Sequence, residues 1–285
     1  MAVVDSGVKS PTWLITGCSS GLGRALTQAV LARGWKAVVT ARKPESIADL
    51  VAPYPETGLA LALDVTEPAR VAEAVQAAED RFGQVDVLVN NAGHGYRAAV
   101  EEGEEDEVAE LFATNFFGPV ALIKAVLPGM RARRAGAVVN VSSIAGRLAA
   151  PGSGYYSATK FALEGMSDAL RKEVTPLGIK VIVVDPGAFR TGFAGRSLQQ
   201  AGQAIADYAE TAGRRRKEND SSHGHQPGDP ARGAEAIVTA VESDKPPFRL
   251  LLGSDAVKTV RAELEGQLAE VNDWADLSVT TDFPS

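Results

Sequence analysis

Tyr156 and Lys160 stand four residues apart in the stretch SGYYSATK, residues 153–160. On a helix, that spacing puts both side chains on one face, whereas Tyr155 has Thr159 at the same interval. A phenol with an ordinary pKa near ~10 is a poor proton donor at neutral pH. A cation held nearby stabilises the phenolate and lowers that pKa. Tyr156 with Lys160 therefore reads as a tuned acid–base group. Tyr155 reads as a neighbour that lines a pocket or packs.

A second stretch, TGCSSGLG over residues 16–23, places glycines at 17, 21 and 23. It follows a short apolar run and opens a helical one. Glycines there permit a tight turn and a close backbone approach. A helix N-terminus offers N–H groups and a positive dipole end to a pyrophosphate. The spacing is G-x3-G-x-G rather than G-x-G-x-x-G. Gly17, Ser19, Ser20, Gly21, Leu22 and Gly23 are accordingly candidates for holding a dinucleotide. An acid ending the next strand would grip a ribose 2′-hydroxyl, whereas an arginine accommodates a 2′-phosphate. That strand ends VVTARK, with no acid from 36 to 44 and with Arg42 in place. A planar guanidinium can clamp a phosphate, with Ser19 and Ser20 as further donors, so NADP(H) is expected over NAD(H).

The other polar clusters are expected to carry no chemistry. EEGEEDE (101–107) opens a helix, where acids favour the dipole. RRRK (214–217) reads as a solvated helix end. His223 and His225 form an HxH without an accompanying carboxylate or cysteine pattern, so no metal site is expected. Cys18 lies in the glycine turn with no base paired to it and is assigned no catalytic role.

These groups need a scaffold that gathers them. Strands are expected at 12–16, 36–40, 59–64, 85–90, 137–143, 180–185 and 248–253. Helices are expected at 21–33, 68–82, 104–133 with a break near Gly118 and Pro119, 155–174, 231–243 and 255–271. Such alternation predicts an α/β chain with a doubly wound, seven-stranded parallel sheet flanked by helices. The strand runs are continuously apolar, as when both sheet faces are buried. Residues 1–11 read as a tail and 12–285 as a single domain with a C-terminal helical extension over about 254–285. Residues 189–230 are poorly patterned. Ligands in such sheets bind beyond the carboxyl ends of the strands, so this segment is expected to be a substrate loop. Phe189, Phe193, Leu198, Ile205 and Tyr208 give it an apolar side, to which Leu148 and Tyr155 could add.

Composition narrows the partners. The 285 residues are 45% hydrophobic, ample for a core, and carry a net charge of -7. No basic face is expected, which argues against nucleic acid and anionic membranes. No apolar run approaches the ~18 residues needed to span a bilayer. With one cysteine and no leader-like N-terminus, a cytoplasmic protein is expected.

The chain resembles the short-chain dehydrogenase/reductase family over most of residues 12–190, and a single-domain Rossmann fold is implied. TGCSSGLG resembles the family's cofactor turn, and Asp64 with Val65 its adenine-binding element. NNAG (90–93) resembles the signature after the fourth strand and brings in Asn91, Ala92 and Gly93. Asn115 in TNFFG, the serine of NVSS thirteen residues before the tyrosine, and YSATK match the catalytic positions. DPGAFRT (185–191) resembles the segment that holds the nicotinamide, with Pro186, Gly187, Phe189 and Thr191.

The resemblance implies that Ser143 holds the substrate oxygen and Tyr156 exchanges a proton with it. Only one of Ser142 and Ser143 is expected to face the pocket, since adjacent strand residues point to opposite faces. Lys160 is implied to lower the Tyr156 pKa and to bind the nicotinamide ribose. Asn115 is implied to hold a water linking Lys160 to solvent. The expected activity is an NADPH-dependent carbonyl reductase or alcohol dehydrogenase on a fairly hydrophobic small molecule, nearest to carbonyl, hydroxysteroid or retinol-type reductases. Alternatives are an NADP(H)-binding sensor, an enzyme working mainly in the oxidative direction, or an isomerase or dehydratase on the same scaffold. A homodimer or homotetramer through the helices at 104–133 and 155–174 is implied by the family.

Overall fold

The computed structural model describes residues 10–194, 197–217 and 224–283. Strands β1 (Thr12–Ile15), β2 (Lys36–Ala41), β3 (Gly58–Ala62), β4 (Val87–Asn90), β6 (Gly136–Val141), β7 (Ile179–Pro186) and β9 (Arg249–Leu252) form one sheet in the order β3-β2-β1-β4-β6-β7-β9. All of its pairings are parallel.

Why these segments became central strands is visible in how they bury. Trp13, Ile15, Val39, Val89, Val139 and Val184 pack on one face. Their neighbours Leu14, Val38, Leu88, Val138 and Val183 are fully buried as well, and the first four join the opposite core. A strand with both faces covered cannot afford polar alternation, so a continuous apolar run is the expected pattern. Helices α1 (Gly21–Ala32) and α7 (Pro230–Glu242) cover the first face. Helices α3 (Pro68–Phe82), α5 (Gly118–Arg133) and α6 (Gly154–Val174) cover the second. The short α2 (Ala48–Val51) precedes β3.

Termini follow local chemistry. Helix α3 starts on Pro68 and stops at Gly83, whose φ of 89° closes it in the left-handed region. The strand order reverses between β1 and β4, which opens a crevice above their carboxyl ends.

Four expectations are corrected. The third strand stops at Ala62, so Asp64 lies in the turn beyond it. The 104–133 helix is three pieces: α4 (Glu105–Phe112), a π-helical stretch Ala113–Phe117, and α5. A wide turn precedes Pro119, which has no N–H to donate into the ladder. The same Glu105–Arg133 helix is long and apolar enough to cross a membrane by length and composition. It goes beyond the sequence expectation because it is apolar on average without holding an unbroken apolar run. Here Leu122, Ile123, Val126 and Met130 bury it against the sheet. Finally, residues 189–230 are not patternless: β8 (Leu198–Gln200) pairs in parallel with β5 (Gly95–Arg97), and short 3-10 and π turns follow. Three-residue strands are too short to show a period. His223 lies outside the described residues.

The last helix, α8 (Ser254–Val279), runs eight residues past its expected end and leaves Leu268, Val271 and Trp274 exposed.

Candidate active site

A cavity of about 1160 Å³ opens at the carboxyl ends of the central strands. Every residue singled out above for cofactor or catalysis borders it except Gly23 and Asn115. Those two act one layer back.

The glycine turn shows why side chains are excluded there. Gly17 and Gly21 have φ of 70° and 59°, where Cβ is strained. A Cβ on Gly17 would stand 2.8 Å from Cα of Ala92, and one on Gly23 would stand 2.4 Å from Nδ2 of Asn91. Gly23 thus lets α1 close on the 90–93 segment. Asn91 ties the two together by donating from Nδ2 to the carbonyls of Thr16 (2.8 Å) and Gly17 (3.1 Å). Thr16 Oγ1 accepts from the Asn91 and Ala92 amides. Helix α1 has no acid in its first turn, and Ser20 at its N-cap makes no side-chain cap. Its opening amides are left to a ligand. A glycine cradle over uncapped amides with no opposing acid fits a dinucleotide pyrophosphate. Arg42, just past β2, is exposed at the same edge, and Asp64 is held by Thr66, which donates to it through N and Oγ1.

Deeper in, Tyr156 comes from the first turns of α6 and is buried. Burial pushes its phenol up to about 12; the Ser143 hydroxyl and the Arg97 charge pull the other way. The lowering expected from Lys160 is not what the geometry gives. The Lys160 ammonium lies 5.7 Å from the Tyr156 ring centroid and donates to the Val141 carbonyl at 3.0 Å. One helical turn brings it to the end of β6, where Val141 takes its hydrogen bond. Burial brings the ammonium down to about 8, opposed by Asp185 and Glu164.

Ser142 and Ser143 both border the cavity, against the expectation of one. Strand alternation stops applying after Val141, where β6 ends. Ser143 caps a 3-10 turn, accepting from the Ala145 amide at 3.1 Å. Its hydroxyl is the one beside Tyr156. Tyr155 is settled as a packing residue. Its hydroxyl donates to the Val100 carbonyl at 2.6 Å, and its ring lies 6.2 Å from that of Tyr96.

Asn115 sits in the π-helical stretch, a distortion that recurs at functional sites. Its Oδ1 accepts from the His94 amide at 3.0 Å, and its Nδ2 donates to the His94 carbonyl and to Thr159 Oγ1. Both amide hydrogens are committed, leaving one lone pair for a water. What the structure shows is a brace between the 90–94 segment and α6.

Behind Lys160, Asp185 and Glu164 are buried together. Burial and the neighbouring Glu164 push the Asp185 carboxyl far up, against Arg147 and Arg249. Neither Asp185 oxygen meets a donor among the described residues, which suits a carboxyl that keeps its proton beside Glu164, as the raised pKa favours. Cys18 is buried, donates to the Ile15 carbonyl and is pushed up to about 11 by burial, as an inert thiol should be.

Sequence reading missed several neighbours. Arg97 and His94 border the cavity from the segment after NNAG. Glu102, read as a helix-opening acid, is buried and paired with Arg216, which was read as solvated. Arg214 and Arg215 also line the cavity. Charge alone gave no sign that Arg97 and Glu102 would be buried. In the loop, Phe189, Phe193 and Leu198 border the cavity with Leu148, whereas Ile205 and Tyr208 do not. Tyr208 instead donates to Glu101.

The family pattern of the short chain dehydrogenases matches residues 11–202. The oxidoreductase BOA17 of Botryotinia fuckeliana is 37% identical over 270 residues, covering 94% of this chain and 98% of that protein. A 3-ketodihydrosphingosine reductase of Bacteroides thetaiotaomicron is 41% identical over 243 residues, 84% and 87% of the two chains. A short-chain dehydrogenase from Streptomyces avermitilis superposes with a TM-score of 0.91 at 44% identity over 96% of this chain and 99% of that one. More distant folds of this type were solved with a dinucleotide: one from Burkholderia phymatum with NAD (TM-score 0.80, 24% identity, 91% and 95% covered) and one from Burkholderia cenocepacia with NADP (0.72, 25%, 93% and 97%).

Proposed function

The chain belongs to the short-chain dehydrogenase family of oxidoreductases, and from that premise we propose that it is an NADPH-dependent carbonyl reductase. The observation that carries this reading is the buried Tyr156 phenol facing the cavity, with the Ser143 hydroxyl beside it and Lys160 behind. When bound, the dinucleotide supplies a hydride. Ser143 holds the carbonyl oxygen. Tyr156 gives that oxygen its proton as the carbon is reduced, so that a ketone or aldehyde leaves as the alcohol. Lys160, cationic below about pH 8, would hold the nicotinamide ribose by hydrogen bonding.

Arg42 supports NADPH over NADH, since an exposed guanidinium just past β2, with no acid from 36 to 44, suits a 2′-phosphate. Leu148, Phe193 and Leu198 support a substrate with an apolar body. A homo-oligomer is read from Phe117 and Phe161, both exposed on the helices that the family uses for assembly. A cytoplasmic setting is read from the single, buried thiol.

The test is NADPH consumption across carbonyls running from small aldehydes and β-keto esters to aryl ketones, steroids and retinal, with Tyr156→Phe as control. Turnover that vanishes in the variant supports the reading. Tight NADPH binding with no turnover on the whole series overturns it in favour of a sensor.

A further inference from the structure

Arg97 ends β5 and is only 8% exposed. Its Nη1 donates to Ser153 Oγ at 2.8 Å, while its Nε meets no acceptor. No carboxylate pairs with it among the described residues. Burial pushes its pKa down and the Arg215 cation acts in the same direction; only the Tyr156 phenol opposes them. A buried guanidinium without a counter-charge is costly, because its desolvation is not offset. Such a cation persists where a ligand completes it.

Its position says which ligand. Arg97 borders the cavity, and its charge is felt at the Tyr156 phenol. Of the acids that border the cavity, Asp64 accepts from Thr66, Asp255 accepts from the Ala188 amide, and Glu110 is exposed. On the substrate side, the charges next to the proton donor are therefore positive. Among the described residues, Nη1 is the only guanidinium nitrogen with a side-chain partner, Ser153, and a planar guanidinium pairs with a carboxylate through hydrogen bonds that its remaining N–H groups can make.

We propose that Arg97 binds a carboxylate carried close to the reacting carbonyl, so that the substrates are keto acids with an apolar body. The proposal rests on the reductase reading and narrows its substrate class. The apolar body lies against Phe193, whose ring is 5.7 Å from that of Tyr156, and against Leu148 and Leu198. A neutral ketone of the same shape leaves the guanidinium buried and unpaired.

The test compares an aryl keto acid with its methyl ester, by steady-state NADPH oxidation, in the wild type, Arg97→Gln and Arg97→Lys. The wild type should favour the acid by at least about tenfold in kcat/KM, chiefly through KM, as a charge-assisted hydrogen bond implies. Arg97→Gln should erase the ratio and Arg97→Lys should recover part of it. If Arg97 only anchors Ser153, both substrates fall together and the ratio stands, which overturns the proposal. So does an ester used as well as the acid by the wild type. Calorimetric binding of benzoate and benzamide to the NADPH-saturated protein gives a readout free of turnover. Benzoate should bind more tightly, and Arg97→Gln should remove the difference; equal binding overturns the proposal. Benzoate selectivity without turnover of any carbonyl would sink the reductase reading and leave the anion site in place.

Discussion

Glu102 and Arg216, 114 residues apart in the chain, form an ion pair in which the Glu102 side chain is fully buried. The same carboxylate accepts from the Ala99 amide at 2.7 Å and from the Ile205 amide at 2.8 Å. One acid thus fastens two points of the substrate loop to the segment after β5. Burial alone would raise its pKa; the two amides and Arg216 outweigh that and hold it below the ordinary carboxylate range. Its stabilisation is therefore complete above the ordinary pKa and is lost as pH falls through the lower, folded value. Glu102→Ala leaves a buried cation and two amides unmet, and is expected to cost about 3–5 kcal/mol. Denaturant melts at pH 7 and pH 3 check both points: the variant's deficit should shrink in acid.

Tyr156→Phe is expected to lower kcat by at least about 10²-fold, the usual range for a general acid. Tyr155→Phe loses its bond to the Val100 carbonyl and should cost about 0.5–1.5 kcal/mol of stability with kcat near wild type. Equal losses of kcat in the two variants would refute the assignment.

Arg42→Ala is expected to reduce kcat/KM for NADPH about 10–100-fold, as the loss of one charge-assisted bond implies, and to leave NADH almost untouched. A wild type that prefers NADH contradicts the cofactor reading outright.

The Lys160 ammonium, brought down to about 8 by burial, loses its charge within the working pH range. Because kcat/KM for NADPH reports ionisations of the free enzyme, it should fall about tenfold per pH unit above that value. Lys160→Met should lower the plateau and abolish the descending limb.

Asp185 takes up a proton on folding, because its folded pKa is raised to about 8 from 3.8 by burial and by Glu164. Stability should then decline as pH rises from about 4 to 8, where the folded state binds the proton and the unfolded state does not. Asp185→Asn should flatten that decline. Thermal melts at pH 5 and pH 8 in both proteins would show it; parallel slopes would exclude the protonated pair.

Much of this was written in local sequence. Gly17, Gly21 and Gly23 announce the turn because their geometry admits nothing larger, and Tyr156 and Lys160 announce themselves by helical spacing. The sheet followed from apolar runs that need both faces covered. What local sequence did not carry was decided by contacts at long range. Arg97 and Glu102 look like any surface charges until the 197–217 segment covers them. The Tyr156 pKa depends on burial and on Arg97, 59 positions away in the chain. Ser142 borders the cavity because β6 ends at Val141, two residues before the end expected from sequence.

Gly95 faces Leu198 across the β5–β8 ribbon, and a Cβ added to it would stand 2.7 Å from Leu198 Cδ1 and 3.2 Å from the Phe193 ring. The outer wall of the cavity is therefore seated on a missing methyl group, like a latch resting in a notch. Remodelling the entrance does not require carving away aromatic side chains. A single carbon placed in that notch would push the tips of Leu198 and Phe193 aside, which makes residue 95 the gauge of how wide the door stands.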